Sequence, residues 1–491
     1  MMRWDTVIGL EIHVQLSTVT KIFSGASTSF GAEPNSQACA IDLAMPGTLP
    51  VLNSRAVENA IMLGLAINAE IPTMSVFERK NYFYPDLPKG YQTTQLERPV
   101  IGKGKIPILL KDGTTKEIRI HHAHLEEDAG KSLHTGNFDA GFSGIDLNRA
   151  GIPLIEIVTE PDLSNATEAV IFAKKLHSLV TSLGICDGRM AEGSLRFDVN
   201  VSIRPNGSKI LGTRTETKNL NSFKFMEEAI ILEVDRQIEI LEEGGAVIQE
   251  TRLYNGETKS GHSMRSKEEA NDYRYFPCPD LLPIAITESF LQEIRNKLPE
   301  LPDERLIRLM AEYRVGASEA DLLAANKDLS NYFETVAVTS ENPKQAANWT
   351  LGELMGRLKT TNLPITESPV SAEELGRLVK RVCDNTISGK IAKQVFDAMW
   401  KGEGTVDFII KDRNLKQLTD TKALNHIIAL VISDNPKMVT DFINADAHLR
   451  KKRLGGLMGQ IMKRSKGQAD PKRVNDLLSR KLHELINGES D

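Results

Sequence analysis

The stretch Ile120–Lys131, IHHAHLEEDAGK, concentrates groups that could hold a cation and a phosphate. Alternate side chains of a strand share a face, so His122, His124, Glu126 and Asp128 project one way and His121, Leu125 and Glu127 the other. An imidazole beside two carboxylates is a seat for a hard divalent cation such as Mg2+, which prefers oxygen and keeps several waters. Gly130 frees the backbone, and Lys131 adds a cation for a phosphate. A solvated acidic turn at the end of an edge strand accounts for the same residues without chemistry.

Three further segments repeat the design. In Val7–Leu16, Ile8, Leu10, Ile12, Val14 and Leu16 occupy one face, and Gly9, Glu11, His13 and Gln15 the other. This alternation predicts a strand whose polar face carries Glu and His two apart. In Leu154–Val158, Glu156 lies among apolar residues, where a carboxylate is costly to bury unless it is paired or holds a cation. In Ser194–Arg204, Leu195, Phe197, Val199, Val201 and Ile203 point to a core, opposite Arg196, Asp198, Asn200, Ser202 and Arg204. Arg214, Glu216 and Lys218 share a face in the segment that follows. Such mixed charge suits metal-bridged nucleotide phosphates. The chain has no GxxxxGK[ST] and no GxGxxG, so a nucleotide would rest on a sheet rather than in a P-loop or a Rossmann turn.

The loop Arg79–Gln92 holds three tyrosines with Lys80 and Lys89, stiffened by Pro85 and Pro88. Its lysines could reach an anion, and its tyrosines could stack on a base. A rigid surface loop with aromatic anchors is the plainer reading.

These pieces need a scaffold. Apolar spacing predicts helices over 53–68, 162–184 and 222–244, the second with Asn165 and Glu168 as a capping pair and His177 as a packed or surface residue. From Glu288 onward strand alternation ends and helical patterns run to the C-terminus. The expected domains are 1–290, 291–400 and 401–491. The chain has 491 residues, 41% of them hydrophobic and 26% charged, the balance of a globular protein. Four dispersed cysteines (Cys39, Cys186, Cys278, Cys383) argue for a reducing compartment, and the cytoplasm is expected. No apolar run reaches membrane-spanning length, and no signal segment is read at the start. The net charge of −6 hides a basic tail: Arg450–Arg473 holds nine basic residues and a single acid, Asp470. Arg450–Arg453 and Lys463–Lys466 have the composition of a phosphate-backbone footprint, or of a basic solvated helix face.

Nine motifs, in order, resemble the GatB family, which supplies one subunit of the bacterial-type aspartyl/glutamyl-tRNA amidotransferases: VIGLEIHVQL, FGAEPN, RKNYFYPDLPKGYQ, HLEEDAGK, DLNRAGIPLIEIV, TETKNLNSF, DYRYFPCPDL, LPELPDERL and GGLMGQIMKRSKGQADPKRVNDLL. The resemblance runs from about residue 5 to 480. It implies an α+β fold: an N-terminal sheet-based cradle, similar to glutamine synthetase and guanido kinase, then an all-α domain and a small all-α tail of the GatB/YqeY type that meets tRNA. It implies ATP-dependent transamidation of mischarged Glu-tRNA(Gln) or Asp-tRNA(Asn). ATP phosphorylates the side-chain carboxylate, and ammonia from a GatA-type glutaminase displaces phosphate. A small GatC-type protein completes the heterotrimer.

Carried onto matching positions, the Mg2+ ligands are Glu11, His13, Glu126 and Glu156. Asp198 and Glu216 are their neighbours, and with Asn200, Lys218 and Arg149 form the expected ATP-contacting set. Lys80, Lys89 and Glu126 match the inner end of an ammonia path, and with Glu127 and Asp128 form the expected catalytic group. One departure stands out. Many members carry two zinc-binding cysteine pairs, in forms resembling FCGCS and VCPVC. Here these places read Phe23-Ser-Gly-Ala-Ser27 and Ala38-Cys-Ala-Ile-Asp42, so no zinc site is expected. Residues alone leave two rivals: a metal-dependent nuclease or phosphatase on RNA, and a non-catalytic tRNA-binding scaffold.

Overall fold

The computed structural model describes residues 3–133, 142–266, 270–416, 418, 420–465 and 467–488. The fold is α+β. The strands needed below are β1 (Trp4–Gln15), β2 (Glu78–Asn81), β3 (Tyr91–Thr94), β4 (Gly104–Leu109), β5 (Thr115–Glu127), β6 (Pro153–Thr159), β7 (Leu195–Pro205), β8 (Thr215–Lys218), β9 (Glu250–Asn255), β10 (Ser260–Ser266) and β11 (Phe276–Pro277). Among the described residues, eight of them form one sheet in the order β10-β9-β8-β7-β1-β6-β5-β4. Neighbours are antiparallel except the parallel pair β8 and β9. A smaller sheet has the order β11-β2-β3.

The alternation read in β1, β6 and β7 gives this sheet one apolar and one polar face. Ile8, Leu10 and Ile12 meet Ile155, Ile157, Phe197 and Val199 in a single buried cluster. Burying each such side chain is worth about 1.5–3 kcal/mol, so the slip of one residue that would turn these faces over is heavily penalised. Three helices contribute to the same cluster: α1 (Ser54–Ala66), α2 (Ala166–Ser182) and α3 (Phe223–Glu242). Asn53, Asn165 and Ser222 cap them with side-chain oxygens, and the Asn165 oxygen accepts from the Glu168 amide. His177 on α2 contacts the Gly188 carbonyl at 3.1 Å, a packing role.

Residues Met1–Pro302 form one compact unit and Asp303–Asp491 a second. Helix α4 (Glu288–Lys297) belongs to the first, because Leu291 and Ile294 join its core. In the second unit every regular element among the described residues is helical. It carries two apolar clusters, one around Phe333, Leu375 and Val395 and one around Leu424, Leu457 and Leu478. Of the basic tail, Lys452, Lys463, Lys472 and Arg473 are exposed, and Arg464 pairs with Asp434. Lys466 lies outside the described residues, as does the side chain of Lys451. Among the described residues no helix is long and apolar enough to cross a membrane.

Candidate active site

The polar face of the large sheet is a grid set by strand register. One row runs across four strands: Arg196 opposite His13, His13 opposite Glu156, Glu156 opposite His124. The next row runs from Lys218 beside Asp198, to Glu11, to Val158, to His122. A bulge between Ile120 and His122 in β5 sets the phase of His122, His124 and Glu126.

The first row builds a tight cluster. His13, Glu126 and Glu156 offer ligand atoms that all lie within 4.8 Å of one another. His13 Nε2 is 3.3 Å from Glu156 Oε2 and 3.8 Å from Glu126 Oε1. His124 Nε2 lies 3.4 Å from Glu156 and 3.6 Å from Glu126. Glu126 is only 3% exposed, and the Thr94 hydroxyl donates to it at 3.3 Å. Burial opposes charge on His13, His124 and Glu156, but mutual attraction outweighs it. Glu156, then Asp198, raise the pKa of His13; Glu156 and Glu126 push that of His124 up to about 10, while the two imidazoles hold Glu156 well below the usual carboxylate range. A buried carboxylate, a partly buried one and an imidazole of the same cluster form a three-point donor set for a divalent cation. An imidazolium of this cluster would have to give up its proton for such an ion to bind.

The second row differs. Burial works against the charge of Lys218, but Asp198 and then Glu216 keep it protonated and raise its pKa. Its Nζ donates to Asp198 and lies 3.2 Å from Glu216. Thr251 donates to Glu216 at 2.7 Å, and Asn200 donates to Glu11 at 2.9 Å. A cavity of about 340 Å³ opens beside this row, with Gly9, Glu11, Asn200 and Arg214 in its walls. Glu11 therefore stands with Asn200 at the cavity, one row from the His13–Glu126–Glu156 group.

Three other expected site residues face neighbours at the end of β5. Asp128 is gripped by Arg196 at 3.1 Å and by the Gln15 amide at 2.9 Å. Burial pushes its pKa up, but Arg196 and Arg149 bring it below the ordinary value. Arg149 spends its guanidinium on the carbonyls of Ala129 (2.9 Å) and Gly130 (2.6 Å). It thereby shapes the turn after Asp128. A Cβ on Gly130 would lie 2.8 Å from the Asp86 carbonyl oxygen, so this turn requires glycine. Glu127 leaves the grid: Lys89 pairs with it and the Thr93 amide donates to it at 2.8 Å. Lys80 sits on aromatic rings, 4.7 Å from the centroid of Tyr273 and 5.8 Å from that of Tyr82.

Residues 6–292 match the GatB/GatE catalytic domain, and residues 331–482 match the GatB domain. The chain belongs to the GatB/GatE family. It is 62% identical to the GatB-type protein of Saccharophagus degradans, the B subunit of an aspartyl/glutamyl-tRNA(Asn/Gln) amidotransferase, over 98% of this chain and all of that one. The like-named proteins of Cellvibrio japonicus and Pseudomonas aeruginosa are 61% and 56% identical over the same shares. The whole grid lies within the span of this family's catalytic domain.

Two residues that sequence reasoning did not include in the site sets belong to it. His124 shares a face with Glu126, but its pairing with Glu156 depends on which strand lies beside β5. Arg196 was legible as polar-face, yet its grip on Asp128 spans distant segments. The altered cysteine pairs form a closed polar contact. The Ser24 hydroxyl and the Cys39 amide each donate to Asp42 at 2.9 Å, and the fully buried Lys21 ammonium is 3.4 Å from it.

Proposed function

We propose that the polar face of the sheet is where ATP phosphorylates the side-chain carboxylate of a mischarged aminoacyl-tRNA, before ammonia converts it to the amide. As a GatB-type chain, the protein acts within a tRNA-dependent amidotransferase on Glu-tRNA(Gln), Asp-tRNA(Asn) or both. The observation that carries the reading is the adjacency of two unlike rows on one surface. One is a cation seat of His13, Glu126 and Glu156, and the other is a lysine-centred row with an open cavity.

A carboxylate is a poor acyl donor, and phosphorylation gives it a leaving group. The carboxylate oxygen attacks the γ-phosphorus, and ADP departs. The nitrogen of ammonia then attacks the acyl carbon, the carbon–oxygen bond to phosphate breaks, and a proton leaves the nitrogen. Positioning and charge neutralisation dominate such transfers. His13, Glu126 and Glu156 would hold Mg2+, with Glu11 toward the cavity; the ion supplies charge neutralisation to the phosphate oxygens. Lys218, Asn200 and Glu216, with Asp198, orient the nucleotide from the neighbouring row. Arg149 and Asp128 keep the strand end in place, Asp128 through its contact with Arg196. Lys89 with Glu127, and Lys80, stand on the far side of Glu126 from that row. There the lysines line the approach of ammonia, and the Glu127 carboxylate accepts its proton.

The face acts as a cradle of the kind seen in glutamine synthetase and guanido kinase. Residues up to Pro302 carry the chemistry, the helices that follow form the helical domain, and the C-terminal basic tail docks the tRNA body. A GatA-type glutaminase supplies ammonia and a small GatC-type protein completes the complex, which works in the cytoplasm.

The test is release of phosphate by the assembled heterotrimer with ATP, Mg2+ and each mischarged tRNA. Release that depends on mischarged tRNA and is lost in Glu126→Gln and His13→Ala is expected. Turnover of ATP indifferent to tRNA charging, or cleavage of tRNA without ATP, would overturn the reading.

A further inference from the structure

Beside the carboxylate cluster stands a set of aromatic rings with no part in the chemistry so far. Tyr82 and Tyr84 follow β2, and Tyr273 and Tyr275 precede β11. Their centroids are 5.9 Å apart for Tyr82 and Tyr84, 6.1 Å for Tyr82 and Tyr273, and 6.0 Å for Tyr273 and Tyr275, all edge to face. The Asn81 amide donates to the carbonyls of Tyr273 (3.1 Å) and Arg274 (2.8 Å), which ties the two segments together. Tyr82 Oη donates to Gln92 Oε1 at 3.2 Å, and Gln92 Nε2 donates to the Glu127 carbonyl at 2.9 Å. The shelf is therefore two hydrogen bonds from the strand end that carries Glu126. Burial first, then the charges of Glu126 and Glu127, raise the pKa of Tyr82; burial, Glu126 and Glu156 do so for Tyr275. Both rings thus lie in the field of the cluster. Tyr84 is 48% exposed and Phe83 beside it 79%. Aromatic surface left open beside a charged site marks a place that something covers.

We propose that this shelf receives the nucleobase at the 3′ end of the aminoacyl-tRNA. The proposal rests on the reading that the cluster activates the aminoacyl side-chain carboxylate. From that carboxylate through the amino-acid carbons, the ester and the ribose to the base is about 10 Å at ordinary bond lengths. The base must then fall on groups adjoining Glu126, and the aromatic shelf adjoins it. A single-stranded end presents an unstacked base, and aromatic side chains hold such bases by stacking. The nucleobase of ATP has the same chemistry. The lysine-centred row and its cavity lie across the grid from the tyrosines, so the shelf is assigned to the tRNA.

The experiment uses the complete amidotransferase with Tyr84→Ala, Tyr273→Ala and the matching Phe variants. Loss of stacking is expected to raise KM for mischarged tRNA about tenfold. The kcat and the KM for ATP should stay near wild type, and Phe should restore the loss. A tRNA ending in 2-aminopurine should be quenched on binding the wild type and Glu126→Gln, but not the Tyr273→Ala complex. Unchanged KM for tRNA in both Ala variants, a rise in KM for ATP instead, or quenching that survives Tyr273→Ala would overturn the proposal. Failure of the activation reading looks different: Glu126→Gln would then amidate tRNA normally, whatever the quenching.

Discussion

Two patches on one sheet face neutralise buried carboxylates in opposite ways. Around Glu126 and Glu156 the balancing groups are His13 and His124, whose charge depends on a proton. Around Asp198 and Glu216 the balancing group is Lys218, whose charge is fixed at any physiological pH because those carboxylates raise its pKa. The first patch can trade protons for a divalent cation, and the second cannot without ejecting a lysine. On the function proposed above, a metal nucleotide would use both, one exchangeable seat and one permanent cation.

The largest expected effect comes from breaking the exchangeable patch. Glu156→Gln should lower kcat/KM for mischarged tRNA by about a hundredfold or more, the scale of losing one preorganised charge in a water-poor site. Steady-state phosphate release measures it. Lys218→Met should raise KM for ATP and destabilise the protein by about 3 kcal/mol, because the buried Asp198 loses its ion-pair partner. Urea unfolding and ATP titration check the two parts, and an unchanged KM for ATP would remove Lys218 from the nucleotide row.

Proton dependence separates the patches further. The folded pKa of His13 is raised and that of His124 is raised to about 10. Raised imidazole pKa values give stability that is full below the ordinary value near 6.5 and is lost as pH rises through the folded values. Tm of chelator-treated protein should therefore fall between about pH 6.5 and 10, with a smaller fall at saturating Mn2+. Cation binding near pH 7.5 should release protons, seen by calorimetry in buffers of different ionisation enthalpy. The smallest effect is Thr94→Val, which removes one donor to Glu126 and should cost about 1 kcal/mol in unfolding free energy.

Much of this site was legible in local pattern. The period of two in Val7–Leu16 and Ser194–Arg204 placed His13 and Asp198 on a polar face before any fold was known, and the apolar surroundings of Glu156 marked it as a carboxylate in need of a partner. Other parts were silent. Strands β4, β9 and β10 leave little trace in the pattern, since Gly104–Leu109 is short and Glu250–Ser266 mixes polar residues on both faces. Arg149 and Asp128 looked like ligand-facing charges, yet each is held by protein partners, through contacts spanning from about 20 to more than 60 residues of sequence.

What the sequence determined by itself was which residues share a face, the helices with their Asn and Ser caps, and the family, because these depend on neighbours a few positions apart or on long ordered motifs. Only the tertiary structure decided which faces meet. The order β7-β1-β6-β5 brings His13, Glu156 and His124 into one row, and the fold sets Lys89 against Glu127, which alternation alone had already turned to the other face. Strand order is fixed by burial of the opposite, apolar face over the whole sheet, a long-range sum that no single segment encodes.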